Sequence, residues 1–343
     1  AAWSFPATAA MMTGRLPVRL SANWNHTTLP AGVPTLAERL AAAGYTTAGF
    51  TCAPFSRANR GLGRGFAVYD DSLALLPLDA QGQAAQLNAL AQQWLAAWQD
   101  AGPLFLFLYY FDVHTWYHPP AQYNVRYDAT YTGALTPAAY RNGEPVVSGA
   151  LVPTPRDIEH LVALYDGEIA YWDAMLGQML GFLRGRGLLD NAAVVVTSDH
   201  GDMFGEHGLW THGNSVYEEV VRIPLLVRYP GITAAGLTVD APAQHIDIMP
   251  TLLEWAGAAP VAGLDGVSLS AVVGGQTVAP RDVFSEVDGV TDPADWAYWL
   301  APRDTLHSIR RGDYKFIQHV GQEAADELYR LGPASPYEQQ NVI

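Results

Sequence analysis

The chain has 343 residues, a formal charge of −15, 49% apolar residues, one lysine (Lys315) and one cysteine (Cys52). That length suits one large domain or two smaller ones, and the acidity excludes nucleic acid as a partner, because binding a phosphate backbone needs a basic surface. A lone cysteine excludes an intrachain disulfide framework, and no run approaches the ~20 apolar residues of a membrane span.

In chain order, residues 3–15 (Trp-Ser-Phe-Pro-Ala-Thr-Ala-Ala-Met-Met-Thr-Gly-Arg) read as a Ser/Thr-rich loop entering a helix with Gly14 as its C-cap. A helix over 35–43 stopped by Gly44, a strand over 45–51 and a helix over 83–98 follow. Residues 104–110 form an apolar strand that leads into Asp112 and His114. Residues 116–155, rich in Pro, Tyr, Gly and Thr, read as a long irregular insertion. A long amphipathic helix, or two in series, covers 156–186, and a β-branched strand over 192–196 ends in Thr197-Ser198-Asp199-His200-Gly201. A strand over 223–229, a short helix over 248–256 and short strands over 282–287, 307–309 and 314–319 complete the pattern, with a final Glu-Leu-Tyr-Arg-Leu segment.

This alternation predicts an α/β chain: a three-layer α/β/α sandwich with a large, mostly parallel central sheet over 1–275, and a small α+β subdomain over 276–343. The chain opens on Ala-Ala-Trp-Ser, without an initiator Met or a signal peptide, so it reads as the interior of a longer frame and leaves the compartment open. Its oligomeric state is open as well.

The strand ending in Asp199-His200 delivers a carboxylate and an imidazole to the end of an open sheet where ligands bind, and both are donors for a divalent metal. Glu206, His207 and His212 follow within a Gly-rich stretch. At the other end of the chain, Ser4 and Thr8 place hydroxyls at a helix N-terminus, where free N–H groups and the dipole favour a sulfate or phosphate. A metal nearby would make such a hydroxyl a nucleophile.

Together these motifs resemble the sulfatase family of the alkaline phosphatase superfamily. Aligned on Pro6 and Thr13-Gly14-Arg15, the nucleophile position falls on Ser4. The resemblance implies hydrolysis of a small sulfate ester, Asp199 and His200 as metal ligands, and His114 and His212 as catalytic partners of the ester oxygens. It also implies Thr8, Arg15, Glu206 and His207 around the substrate or behind the first ligands. One divalent ion is implied, Ca²⁺ by family habit, with Mn²⁺ or Zn²⁺ better suited to imidazole. The family nucleophile is oxidised to formylglycine. Here Thr8 stands where the modifying machinery reads Arg, which favours an unmodified Ser4.

Two other readings remain at this point: a phosphodiester, phosphonate or phosphomonoester hydrolase using unmodified Ser4, and a catalytically dead homologue with a binding or structural role. The family's second metal-binding pair, two adjacent Asp on the first strand, precedes residue 1. The chain is therefore expected to be an N-terminally truncated and impaired enzyme, and Asp70-Asp71 does not substitute. Trp116, Tyr117, Tyr123, Tyr127 and Tyr131 either pack the insertion or stack on a ring of the leaving group.

Overall fold

A computed structural model describes residues 1–99, 102–290, 292, 301–332 and 336–343. Three parallel strands stand in the order β2 (Val68–Asp70), β1 (Thr46–Thr51) and β3 (Leu104–Tyr109). Both crossovers run through helical segments, as parallel strands require. The helix Leu36–Ala42 leads into β1 and is started by a reciprocal capping box, in which Glu38 N–H donates to Thr35 Oγ1 and Thr35 N–H to Glu38 Oε2. The helix Gln83–Ala97 leads into β3.

Strand β4 (Val194–Thr197) pairs antiparallel with β7 (Leu225–Arg228), and the short β5 (Met203–Phe204) and β6 (Trp210–Thr211) form a hairpin between them in sequence. Strand β7 begins two residues after the expected 223 because Pro224 has no N–H to give to a ladder. Among the described residues no backbone ladder joins β3 to β4. Both strands are half-buried along their length, unlike β1, whose last five residues are buried. The parallel ladder is thus smaller than the alternation pattern suggested, because alternation predicts strands and not which neighbours they find.

The 31-residue helix Pro155–Gly185 is continuous, about 46 Å at 1.5 Å per residue. The insertion before it contains only single helical turns, at Ala121–Asn124, Pro137–Tyr140 and Glu144–Val147. At the C-terminal end, β8 (Val283–Val287), β9 (Leu306–Arg311), β10 (Tyr314–His319) and β11 (Glu327–Arg330) form a four-stranded antiparallel sheet. Val287, Leu306, Ile317 and Tyr329 of this sheet share one apolar cluster with Trp3, Phe5 and Met12, so the C-terminal strands close over the first helix.

That helix, Ser4–Thr13, is buried at nine of its ten positions, which fits its all-round small and apolar composition. It ends at Gly14 with φ 64°, a left-handed cap where a β-carbon would be strained and would crowd Leu264 at 3.2 Å. No helix among the described residues is long and apolar enough to cross a membrane.

Candidate active site

Ser4 is the first residue of the buried helix, and its N-cap, Trp3, offers no side-chain cap. The first-turn N–H groups therefore keep their capacity for an anion at the positive end of the dipole. Trp3 stacks flat on Trp24 at 3.9 Å, which fixes where the helix starts. Gly213 lies against the same Trp24 ring with φ +78°, and a β-carbon there would come within 2.8 Å of it. Only glycine fits, and the contact sets the position of the neighbouring His212 relative to Ser4.

Ser4 is 5% exposed and its Oγ lies 3.3 Å from His200 Nε2. The ring of His200 is oriented by its other nitrogen: Nδ1–H donates to the Gly201 carbonyl at 3.0 Å. In the neutral tautomer Nε2 is then a bare acceptor, facing both Ser4 Oγ and, at 3.3 Å, Asp199 Oδ2. Burial holds the His200 pKa down, which favours that neutral tautomer. Burial alone would raise the Asp199 pKa, but His200 and the hydroxyls of Tyr109 and Ser4 outweigh it and keep Asp199 a carboxylate. Tyr109, the last residue of β3, donates its hydroxyl to Asp199 Oδ2 and so joins the ends of two strands that share no ladder. Gly201 is required here too: a β-carbon would come 2.1 Å from the Glu219 carbonyl.

His114 and His212 complete the cluster. One ring nitrogen of each lies, with one of His200, within 4.8 Å of the others, and the His200 and His212 rings stack at 3.9 Å. Each of the two is tied through Nδ1–H, His114 to the Thr115 carbonyl at 3.3 Å and His212 to Asp202 Oδ1 at 2.7 Å. Their remaining nitrogens are therefore Nε2 in all three rings. Of the three, His212 alone has a carboxylate behind Nδ1, which fixes the orientation of its ring. His114 is held well below the ordinary histidine pKa by burial, with His212 adding to the effect. Non-glycine residues with positive φ flank the cluster, Thr211 at 62° and Trp116 at 100°, the kind of strain that collects at working sites.

The sequence-predicted residues divide clearly. Ser4, His114, Asp199, His200 and His212 come together, and Thr8 sits one turn behind Ser4, donating its hydroxyl to the Ser4 carbonyl at 2.8 Å. Arg15 does not join them. It lies past the far end of the first helix, about 16 Å along the axis from Ser4. Glu206 folds back to accept from Phe204 N–H at 2.5 Å, and His207 stacks on Tyr217 at 3.9 Å, 3.6 Å from Glu219. Both brace the loop rather than face the three imidazoles. Asp70 and Asp71 are engaged elsewhere, with Ser72 and with Ala58.

Among the aromatic candidates Tyr117 is fully buried against Tyr140, Tyr131 stacks on His160 and Tyr123 packs on Tyr171, which makes them packing residues. Tyr127 is exposed beside Arg126. Sequence reasoning missed Asp202 and Tyr109. Only the spacing of Asp202, three residues after Asp199 on a Gly-rich loop, hinted at a role.

Comparison with known proteins places the chain among sulfatases in sequence. The family profile described as sulfatase matches residues 4–258, and a profile described as N-sulphoglucosamine sulphohydrolase, C-terminal, matches residues 205–343. An N-acetylglucosamine-6-O-sulfatase of Bacteroides thetaiotaomicron is 31% identical over 236 residues, 65% of this chain and 38% of that protein. Arylsulfatase K of Danio rerio is 30% identical over 184 residues, 52% of this chain and 33% of that protein. The matched segments thus span about a third of these curated relatives. In fold, the phosphonate monoester hydrolase of Agrobacterium radiobacter superposes with a TM-score of 0.77 at 23% identity, covering 98% of this chain and 81% of that one.

Proposed function

The chain belongs to the sulfatase family, and from that premise we propose that it hydrolyses small sulfate esters with unmodified Ser4 as the nucleophile. The observation that carries the reading is Ser4 Oγ at an uncapped helix N-terminus, 3.3 Å from an imidazole nitrogen that is itself 3.3 Å from a carboxylate oxygen.

Family members bind a divalent metal ion. The donor set present here fits one: His200 Nε2 and Asp199 Oδ2 have the spacing of adjacent ligands, and a bare nitrogen facing a carboxylate calls for a cation. With imidazole prominent in the set, Mn²⁺ or Zn²⁺ suits it better than Ca²⁺. When bound, the ion lowers the pKa of the Ser4 hydroxyl and polarises the ester.

The chain's own groups do the rest. The first-turn N–H groups of the helix hold the sulfate oxygens, and Thr8 fixes the turn on which Ser4 sits. As Ser4 Oγ gives up its proton and attacks sulfur, the bond from sulfur to the leaving-group oxygen breaks. His212, oriented by Asp202, faces the sulfate oxygen that gains charge, and a water then cleaves the Ser4–sulfate ester, releasing sulfate and restoring Ser4. His114 serves the leaving-group oxygen. To protonate that oxygen it must carry a second proton, which burial opposes and a bound anion favours.

Ser4→Ala is expected to remove sulfate-ester turnover while leaving the protein folded. A panel of matched sulfate and phosphate esters, with the mass of the Ser4 peptide, tests the reading. Faster phosphate-ester turnover would overturn the substrate class, and a peptide lighter by two hydrogens would overturn the unmodified serine.

A further inference from the structure

The structure contains a pocket of about 300 Å³, lined in part by His114 and partly open to solvent. It lies at the C-terminal ends of the parallel strands, where ligands of open sheets bind. Gln83, at the start of the helix Gln83–Ala97, and Asp112, just past β3, form its floor, and Phe111 and Trp116 are among its aromatic walls.

Its polar lining is unfinished. Gln83 is 3% exposed; its Nε2 donates to the Ala80 carbonyl at 3.3 Å, but its buried Oε1 has no partner among the described residues. Asp112 accepts from the backbone N–H groups of Gln83 and Ala84, which hold the carboxylate in place, yet its Oδ2 is buried without a partner. Two unpaired donors belong to lining residues as well, Trp116 Nε1–H and the Tyr117 hydroxyl. Buried polar atoms without partners are rare and costly, and four on the residues lining one pocket describe the ligand they lack. Two acceptors, one of them an anion, require a charged N–H donor. The two donors require an oxygen close to them. The Asp112 carboxylate in the floor and Asp79 at the rim disfavour an anionic group.

We infer that this pocket is the subsite for the leaving group, and that it takes an amino alcohol whose ammonium bonds to Asp112 and Gln83 while a hydroxyl oxygen accepts from Trp116. This rests on the hydrolase reading above only for calling the bound group a leaving group. His114 lies between the two halves of the site: its ring stacks on Phe111 of the pocket at 4.2 Å and meets His212 of the reacting centre at 4.8 Å. An ester with its sulfate at Ser4 and its bridging oxygen at His114 therefore extends naturally into the pocket.

The test uses sulfur-free probes, so it does not depend on turnover. Binding of 2-aminoethanol and of its amine-to-hydroxyl counterpart, ethane-1,2-diol, is measured by ligand-observed NMR titration at pH 7. The expected result is at least tenfold tighter binding of the amine, reduced to less than threefold in Asp112→Asn. Asparagine retains an oxygen for the helix cap. Should that variant nevertheless fail to fold, Gln83→Met, which removes the other unpaired oxygen, is expected to weaken the amine alone by threefold or more. Equal affinity of the two probes, no binding of either, or an amine preference intact in both folded variants overturns the subsite. Loss of sulfate-ester hydrolysis with this preference intact would overturn the reading of the reaction and not the pocket.

Discussion

Two buried ionic clusters in this molecule use similar groups and end in opposite states. At the C-terminal sheet, Lys315 is 1% exposed, and its Nζ donates to the Val216 carbonyl at 2.6 Å and Glu218 Oε1 at 2.8 Å and lies 2.6 Å from Glu338 Oε1. Two of the ammonium's three donors are hydrogen-bonded, and the Glu338 carboxylate pairs with it as a counter-charge. Around Ser4, by contrast, three imidazoles bring a ring nitrogen each within 4.8 Å of the others, one of them beside a carboxylate, and no cation among the described residues completes them. A closed network holds elements together. An open one of equal burial is held in place by its surroundings and finished by a ligand.

The contrast can be broken most sharply at Ser4. Ser4→Ala should lower sulfate-ester turnover by about 10³-fold or more with an unchanged thermal midpoint, because the open cluster contributes chemistry and little stability. Lys315→Met should do the reverse. Removing the ammonium leaves the buried Glu338 carboxylate without its cation, while Glu218 keeps Arg310 at 3.0 Å, at a cost of about 3–5 kcal/mol in denaturant unfolding. Turnover per folded molecule should hardly change. If Lys315→Met abolished activity in folded protein, the two clusters would not be separable in the way proposed.

A smaller effect is expected behind His212. Asp202→Asn should reduce kcat by about 10–100-fold with little change in KM, because the carboxylate acts on the ester only through the imidazole it orients. A stability effect of the same size would point to a structural role instead.

The smallest effect concerns Glu168, 5% exposed on the long helix, whose carboxyl is pushed up to about 9 by burial, with Asp112 adding to it. Its folded pKa is above the unfolded one, so the folded state holds the proton more tightly. The associated stability is present below about pH 4.5 and is lost as pH rises towards 9. Glu168→Gln, which mimics the protonated form, should leave the midpoint unchanged near pH 4.5 and raise it progressively towards pH 8, by up to about 10 °C.

Much of this was legible before any coordinates. Ser4, His114, Asp199 and His200 stand at the ends of elements whose periodicity is strong, and an element end is where a pattern changes abruptly. The partners behind them were less visible. Tyr109 closes an apolar run and reads as core, and its role depends on which strand end it meets across a gap. Asp202 finds His212 only because β5 and β6 fold into a hairpin of two residues each, too short for periodicity to reveal. Arg15 shows the opposite failure: it is close to Ser4 in sequence and a full helix away in space.

The stack of Trp3 on Trp24, with Gly213 pressed against it, also has a consequence for solution conditions. The spacing between the nucleophile and His212 is set by ring faces and a missing β-carbon, neither of which titrates or is screened. Added salt should weaken the hold on an anionic ester at the helix end, but it has no lever on the distance across which the ester reacts.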